Sequence, residues 1–567
     1  MPGLLARVLA GRGIEAPAQL GTSLATLVHH SQLRGAQEAA TYLADAIAAQ
    51  KPMVVVADYD CDGATACAVA VRGLRAFGAT VDYVVPDRMV HGYGLTPGVV
   101  ALATSKFPAA KVLVTVDNGI SSMAGVQAAV DLGLEVIVTD HHLPAKGKPL
   151  PPARVIVDPS QAGCTFPSKA LAGVGVIWYV LWALQDLQRA RGVAPVVPGF
   201  KVSQLLPLVA VGTVADVVPL DLNNRTLVHD GLSKIQAGST FPGIEALAGK
   251  AFPGQPLSYY PQGLRYLVTN DIAFTIGPRI NAAGRLETMD IGIECLLCDD
   301  RARALTLAQT LAEINQDRKE LEFETATEAT QQAEAIINAS TGQHGAYTIT
   351  AFSPHWHAGV IGIVAGRIKE LRYRPTFVLT QDPATGEVKG SGRSIPGFNL
   401  KDALDQVDKA EPGLLIKFGG HAMAAGVTLR AGGQDVFQAA FEVQARLAMP
   451  EEALRQVVEF DGSLRGHGMT LDTVKELRGP VWGQMFPEPC FCDEVTVVSA
   501  KLGGAHRDRL SMDVLMDGVP VTALRFRHTG SVPEAGEILR LVYKLERAPA
   551  KEGARVQLLI EHIALPV

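Results

Sequence analysis

The chain has 567 residues, 48% of them hydrophobic and 19% charged, and carries a formal net charge of −6. That length exceeds a single hydrophobic core and predicts three or four domains. The charge balance excludes a polybasic binder, though not a local basic groove, and seven cysteines without framework spacing exclude a disulfide scaffold and predict a reducing cytoplasm.

Residues 1–48 read as small helices, with an Ala-rich one from Ala36 to Ala49. No basic segment followed by a sustained apolar core is present there, so no secretory leader is expected. From 49 to 290 short Val/Ile-rich runs alternate with helical patterns. Met53–Ala57, Val81–Val85, Val112–Val116, Leu134–Thr139 and Arg154–Asp158 read as strands of a parallel sheet built from βαβ units. The most apolar run, Ala170–Leu184, contains two glycines and falls short of the ~20 residues needed to span a bilayer, so it reads as a buried helix. Residues 300–340 lack Pro and Gly up to Ser340 and place Leu307, Leu311, Ile314 and Leu321 at near-helical spacing, which predicts one long bridging helix. Strand signals return at Tyr347–Phe352, Thr376–Thr380 and Gly426–Leu429 around a helix at Val360–Glu370, a second and smaller α/β domain over 345–455. Residues 458–567 hold five short strand patterns, which suggest a small OB-like barrel; Phe526 and Tyr543 are candidates for stacking on a single strand but read rather as its core. The close pairs Cys295/Cys298 and Cys490/Cys492 read as buried structural thiols.

Three of the strand patterns end in acidic or imidazole clusters: Asp58-Tyr59-Asp60-Cys61-Asp62-Gly63, Asp117-Asn118-Gly119 and Asp140-His141-His142. In an open α/β sheet ligands sit beyond the carboxyl ends of the strands, so these groups converge. Convergent Asp and His without matching cations ask for divalent metal. A calcium loop is excluded, because Ala64-Thr65-Ala66-Cys67 supplies no further oxygen ligands. Asp117 reads as a bridging carboxylate or a plain turn residue, and Asp216 as a further ligand or a cap. Two ions ~3.5–4 Å apart would activate water and stabilise a leaving oxygen, which points to phosphoester hydrolysis.

The strings DYDCDG, DNG, DHH and GTVADVVPL, in this order, resemble the four motifs of the DHH phosphoesterase superfamily, and Gly419-Gly420-His421 with Ala422–Gly426 resembles the glycine-rich motif of the DHHA1 domain. With the bridging helix and the barrel, the set is similar over nearly the whole chain to the superfamily's bacterial single-stranded-DNA exonucleases. The resemblance implies an α/β fold: a DHH-type parallel-sheet domain joined by a long helix to a smaller α/β DHHA1 domain, plus a C-terminal OB-like β-barrel. It implies Asp60, Asp62, Asp117, His141 and Asp216 as ligands of two divalent ions, Mn²⁺ or Mg²⁺. His142 would contact metal or the scissile phosphate, with Asp58 and Asp140 as supporting acids. Arg88, Ser391 and Arg393 would hold a 5′-terminal phosphate, Arg279 and Arg285 would line a strand channel between the two α/β domains, and His421 would contact substrate. The implied activity is metal-dependent 5′→3′ hydrolysis of single-stranded DNA in recombination, recombinational repair and mismatch repair. Single-strand-binding protein and a DNA helicase are the implied partners of a cytoplasmic monomer. The rivals are relatives acting on oligoribonucleotides, cyclic dinucleotides or pyrophosphate, which usually lack the long helix and barrel, and ligand-poor scaffold relatives, whereas here every expected acid and histidine is present.

Overall fold

Five short buried runs of the N-terminal half, Met53–Ala57 (β1), Val81–Val84 (β2), Val112–Val116 (β3), Glu135–Thr139 (β4) and Val155–Val157 (β5), pair in parallel in the order β2-β1-β3-β4-β5. The computed structural model describes residues 3–145, 147–249, 257–258, 261–339, 345–504, 507–548 and 555–564. β1 and β3 are buried along their whole length; a parallel sheet is covered on both faces, which is why they read as unbroken apolar runs. Val54, Val56, Leu113, Val136 and Val138 pack with Val99, Val100, Ala103, Val126 and Ala129 of the helices Pro97–Lys106 and Met123–Asp131. Helix Cys61–Ala76, nearly all buried, packs with helices Gly173–Ala190 and Leu206–Ala215. The winding direction reverses between β1 and β3, and at such a switch point a crevice opens beyond the strand ends. Asp58 and Asp117 are the residues that leave those two strands.

Phe491–Gly503 (β11), Arg509–Met516 (β12), Val519–Arg525 (β13), Ile538–Arg547 (β14) and Val556–Ala564 (β15) close a barrel in the order β11-β12-β13-β15-β14, with β13 and β15 parallel and the other pairs antiparallel. The barrel and the parallel sheet lie in one compact unit, residues 1–284, 288–310 and 459–567. Arg12, just beyond helix Gly3–Gly11, forms a two-pronged ion pair with Asp461 and donates to Pro487 O at 3.1 Å. Leu5 N donates to Glu476 at 3.2 Å, Leu220 N to Gln484 O at 2.8 Å, and the Arg225 guanidinium lies 4.2 Å over the Phe486 ring. Tyr543 is in the barrel core, its hydroxyl donating to Asp493 at 2.7 Å. Phe526 is not core as expected: it follows the last residue of β13 and is 60% exposed. Of the four paired cysteines only Cys295 is fully buried; Cys298, Cys490 and Cys492 are half-buried free thiols, so burial of both pairs needs correction.

The second unit spans residues 285–287 and 311–458. Its sheet, Ile349–Phe352 (β6), Thr376–Gln381 (β7), Val388–Arg393 (β8), Leu415–Gly420 (β9) and Ala424–Leu429 (β10), runs β6-β7-β8-β10-β9, with only β6 and β7 parallel. Phe377, Leu400, Leu404, Phe437 and Phe441 centre its core. The expected bridging helix is present as Arg301–Ala339, 39 residues that begin in the first unit and continue in the second.

Candidate metal centre

Asp58 and Asp60 follow β1, and Asp60 caps helix Cys61–Ala76 by accepting Gly63 N–H at 2.9 Å. That cap turns the chain sharply and leaves Asp62 on the first helical turn. Asp62 is then fixed from outside: Gly173 N and Val174 N, at the start of helix Gly173–Ala190, donate to its two carboxylate oxygens at 2.6 and 3.0 Å. A helix N-terminus has orphan N–H groups and favours negative charge, so it suits this task. Asp117 adopts the left-handed region with φ 61°, and Val217, next to Asp216, also has φ 61°. For a β-branched residue that is a strained conformation of the kind that clusters at functional sites. The Asn118 amide holds the first of these turns, donating to Val56 O at 3.1 Å and Val116 O at 2.9 Å.

These backbone devices bring side chains from four distant segments together. Asp58, Asp60 and Asp117 offer ligand atoms within 4.8 Å of one another; so do Asp62, His141 and Asp216, and so do Asp117, His141 and His142. His141 Nε2 lies 3.1 Å from Asp117 Oδ1 and 3.6 Å from Asp216 Oδ2. Asp117 thus belongs to two groups at once. Asp58, expected as a supporting acid, offers an oxygen to one of these groups. His142 is also held by two hydrogen-bonding partners: its Nδ1 is 2.7 Å from Asp140 Oδ1 and its Nε2 2.9 Å from the Tyr93 hydroxyl. Asp140 also accepts from Ile120 N at 2.8 Å and His141 N at 2.8 Å, so it anchors the whole turn.

Burial, reinforced by neighbouring carboxylates, holds Asp58, Asp117 and Asp216 well above the usual carboxylate range and lifts Asp62 to about 7. Asp140 goes the other way: burial opposes ionisation, but His142 and the Ile120 amide outweigh it. Burial and the charge of His142 lower His141 to about 4, whereas Asp140 overcomes burial and raises His142 to about 9. Oδ1 of Asp58 is buried without a hydrogen-bond partner, and Oδ1 of Asp117 and Oδ2 of Asp216, also buried, make no hydrogen bond and are met only by the His141 ring nitrogen. Buried acceptors left unpaired, in a like-charged group with a neutral imidazole, are a donor set made for a divalent cation.

The remaining expected residues are placed as follows. Arg88 is exposed, its guanidinium 5.4 Å over the Tyr59 ring, and Tyr59 meets Tyr93 edge-on at 6.1 Å. In the second unit Arg393 donates to Ser391 Oγ at 3.1 Å and to Gly392 O at 2.8 Å, and His421 is exposed. Arg279 donates to the carbonyls of Leu247 and Gly249, and Arg285 to that of Gly359 at 3.3 Å. Trp356 is buried and donates to Glu328 at 2.8 Å. Sequence reasoning passed over Asn118, Gly173, Val174, Tyr93 and Val217. Only the Gly173-Val-Gly175 start of a helix carried a readable signal, two small residues where a helix N-terminus must approach something closely; a Cβ on Gly173 would stand 2.5 Å from Asp117 Cβ.

Comparison with known proteins identifies the domains that carry this centre and its neighbours. Residues 52–213 match the DHH family, N-terminal domain; 344–447 match the DHHA1 domain; 460–562 match the RecJ OB domain. The chain is 42% identical to the single-stranded-DNA-specific exonuclease RecJ of Dickeya dadantii, over 99% of this chain and 96% of that protein, and 40% identical to that of Escherichia coli, with the same coverage. The chain belongs to the RecJ family. The crystal structure of the RecJ of Thermus thermophilus in complex with Mn²⁺ is similar with a TM-score of 0.78 and 30% identity, covering 99% of this chain and 76% of that one. A Mg²⁺ complex of the same protein is similar with a TM-score of 0.72 and 28% identity, covering 99% and 74%. A RecJ-family chain with this donor set fits divalent cations of that kind.

Proposed function

We propose that this chain is a metal-dependent 5′→3′ exonuclease that hydrolyses phosphodiester bonds of single-stranded DNA and releases nucleotides, serving recombination, recombinational repair and mismatch repair. The observation that carries the reading is the convergence of Asp58, Asp60, Asp62, His141 and Asp216 around Asp117 at the switch point of a parallel sheet. Asp58, Asp60, Asp62, Asp117, His141 and Asp216 would hold two divalent ions, Mn²⁺ or Mg²⁺, and Asp117, which belongs to two of the groups, would be the carboxylate common to both. Ions bound there supply an activated water and offset charge on the scissile phosphate. The chain's own residues do the rest. Asp140 fixes the His142 ring, so that Nε2, beside the Tyr93 hydroxyl, is held ready to donate to a phosphate oxygen. Ser391 and Arg393 hold the 5′-terminal phosphate, and Arg88 is a further phosphate-binding group; guanidinium groups suit this because their planar fork grips phosphate in two places.

The assignment extends to the chain's organisation: an N-terminal segment 1–48, the catalytic domain 49–290, the helix 300–340, the DHHA1 domain 345–455 and the nucleic-acid-binding barrel 458–567. The protein acts as a cytoplasmic monomer alongside single-strand-binding protein and a DNA helicase. Among the described residues no helix is long and apolar enough to cross a membrane. Incubation of 5′- and 3′-labelled single-stranded DNA with the protein and Mn²⁺ tests the reading. Mononucleotide release from the 5′ end is expected; equal digestion from the 3′ end, or none, would sink it. Asp117→Ala should lower the rate by at least about a thousandfold while DNA binding survives, and retained cleavage would remove Asp117 from the bridging role.

A further inference from the structure

The helix Gly277–Leu286 carries the Ile276–Arg285 stretch whose arginines were expected to face DNA. Arg279 instead donates to the turn at Leu247 and Gly249. What the helix turns toward the acidic cluster is a stripe of small residues. Gly277, Asn281 and Gly284 stand at i, i+4 and i+7, on one helical face. A Cβ on Gly277 would be 3.1 Å from the Cβ of Ala215, the residue before Asp216. Asn281 Oδ1 accepts the Cys61 N–H at 2.9 Å, between Asp60 and Asp62. A Cβ on Gly284 would fall 2.0 Å from the Tyr59 carbonyl oxygen, between Asp58 and Asp60. One face thus meets both backbone segments that bear four of the five carboxylates in the cation-binding groups.

We infer that the Gly277–Asn281–Gly284 face is a clamp that positions the cation-binding loops, with Asn281 as its hydrogen-bonding member. Cys61 is the first residue of helix Cys61–Ala76, where main-chain N–H groups have no partner inside the helix. Asp60 already accepts from Gly63, so Asn281 is what satisfies the neighbouring amide and keeps it from competing for the Asp60 and Asp62 carboxylates. The glycines supply closeness: any side chain at 284 would push the helix off Tyr59 and draw Asn281 out of reach. Asn281 touches no reacting atom; it is a positioning residue.

The inference rests on Asp60, Asp62 and Asp216 being cation ligands, and the experiment separates the two. Mn²⁺ binding to the full chain is measured by calorimetry for the wild type, Asn281→Ala, Asn281→Asp and Asp62→Asn, with KM for single-stranded DNA at saturating Mn²⁺. Removing a group that orients ligands weakens metal by about 10–100-fold. Asn281→Ala should therefore lose at least about tenfold in Mn²⁺ affinity with KM unchanged, while Asn281→Asp, which keeps an oxygen in the same place, stays within about threefold. Hydrogen exchange of the Cys61 amide in metal-free protein should speed up in Asn281→Ala and not in Asn281→Asp. If Asn281→Ala does not fold, Asn281→Ser, whose shorter side chain cannot reach Cys61, is measured in its place. Unchanged Mn²⁺ affinity in the Ala or Ser variant, or a raised KM with affinity intact, overturns the clamp. Wild-type binding that Asp62→Asn leaves unaffected overturns the ligand reading beneath it.

Discussion

Asp117 shows how much one residue's surroundings decide. Its Asp-Asn-Gly string reads equally as a turn, and it is a turn; but φ 61° in a non-glycine residue at the end of a buried central strand is held only by outside support, here from Asn118. Arg393 is a residue of the opposite kind, proposed to hold substrate away from the reacting bond. Arg393→Ala should raise KM for 5′-phosphorylated single-stranded DNA about tenfold with kcat little changed, because a uniform binding interaction is lost; steady-state kinetics that show a pure kcat defect would remove it from phosphate binding. His30 offers a prediction on stability. Burial holds its imidazole below the ordinary value despite the bond from Asp186, with His29 adding to the effect. A lowered folded pKa means the unfolded chain takes the proton first, so stability is full above about pH 6.5 and declines as pH falls below it. His30→Gln should flatten the melting-temperature profile between about pH 7 and about pH 5.5; an unchanged slope would exclude His30 as its source.

At the scale of elements, the patterns that repeat locally were legible and those that depend on a neighbour were not. The strands β1, β3 and β4 and the 39-residue helix announce themselves by apolar runs and by the absence of Gly and Pro. Val388–Arg393 does not, because Gly390 and Gly392 dilute the strand signal. Yet those glycines are what the strand requires: a Cβ on Gly392 would lie 2.4 Å from the Phe377 ring, and one on Gly390 2.3 Å from Leu379. Helix Gly3–Gly11 likewise gives no sign of its partner, the barrel more than 450 residues on. Its Arg12 pair with Asp461 is mostly shielded, with side chains 14% and 11% exposed. Arg12→Ala leaves a carboxylate without its cation and should cost about 2 kcal/mol. The measurement is limited proteolysis between the sheet and the barrel, which should become faster; equal cleavage rates would mean that Arg12 does not hold the barrel in place.

At the scale of the whole molecule, the groups able to hold a cation among the described residues fall in the first compact unit. A ligand that binds only the native state stabilises by RT ln(1 + [L]/Kd), about 2.7 kcal/mol at a hundredfold excess over Kd. Saturating Mn²⁺ should therefore raise the calorimetric transition of the first unit by several degrees relative to EDTA, and leave that of the second where it was. Equal shifts in both would contradict a site confined to the first unit. By itself the sequence determined the chemistry and the parts list: strand-end Asp and His in order, a bridging helix, a barrel. These follow from periodicity and from residue types whose chemistry needs no partner to be recognised. Only the tertiary structure decided where side chains are directed: Arg279 to a turn, Phe526 to solvent, Asp58 beside Asp60 and Asp117, and the Asn281 oxygen to an amide 220 residues away. Such pairings are set by which surfaces pack, and packing joins segments whose separation along the chain carries no local signal.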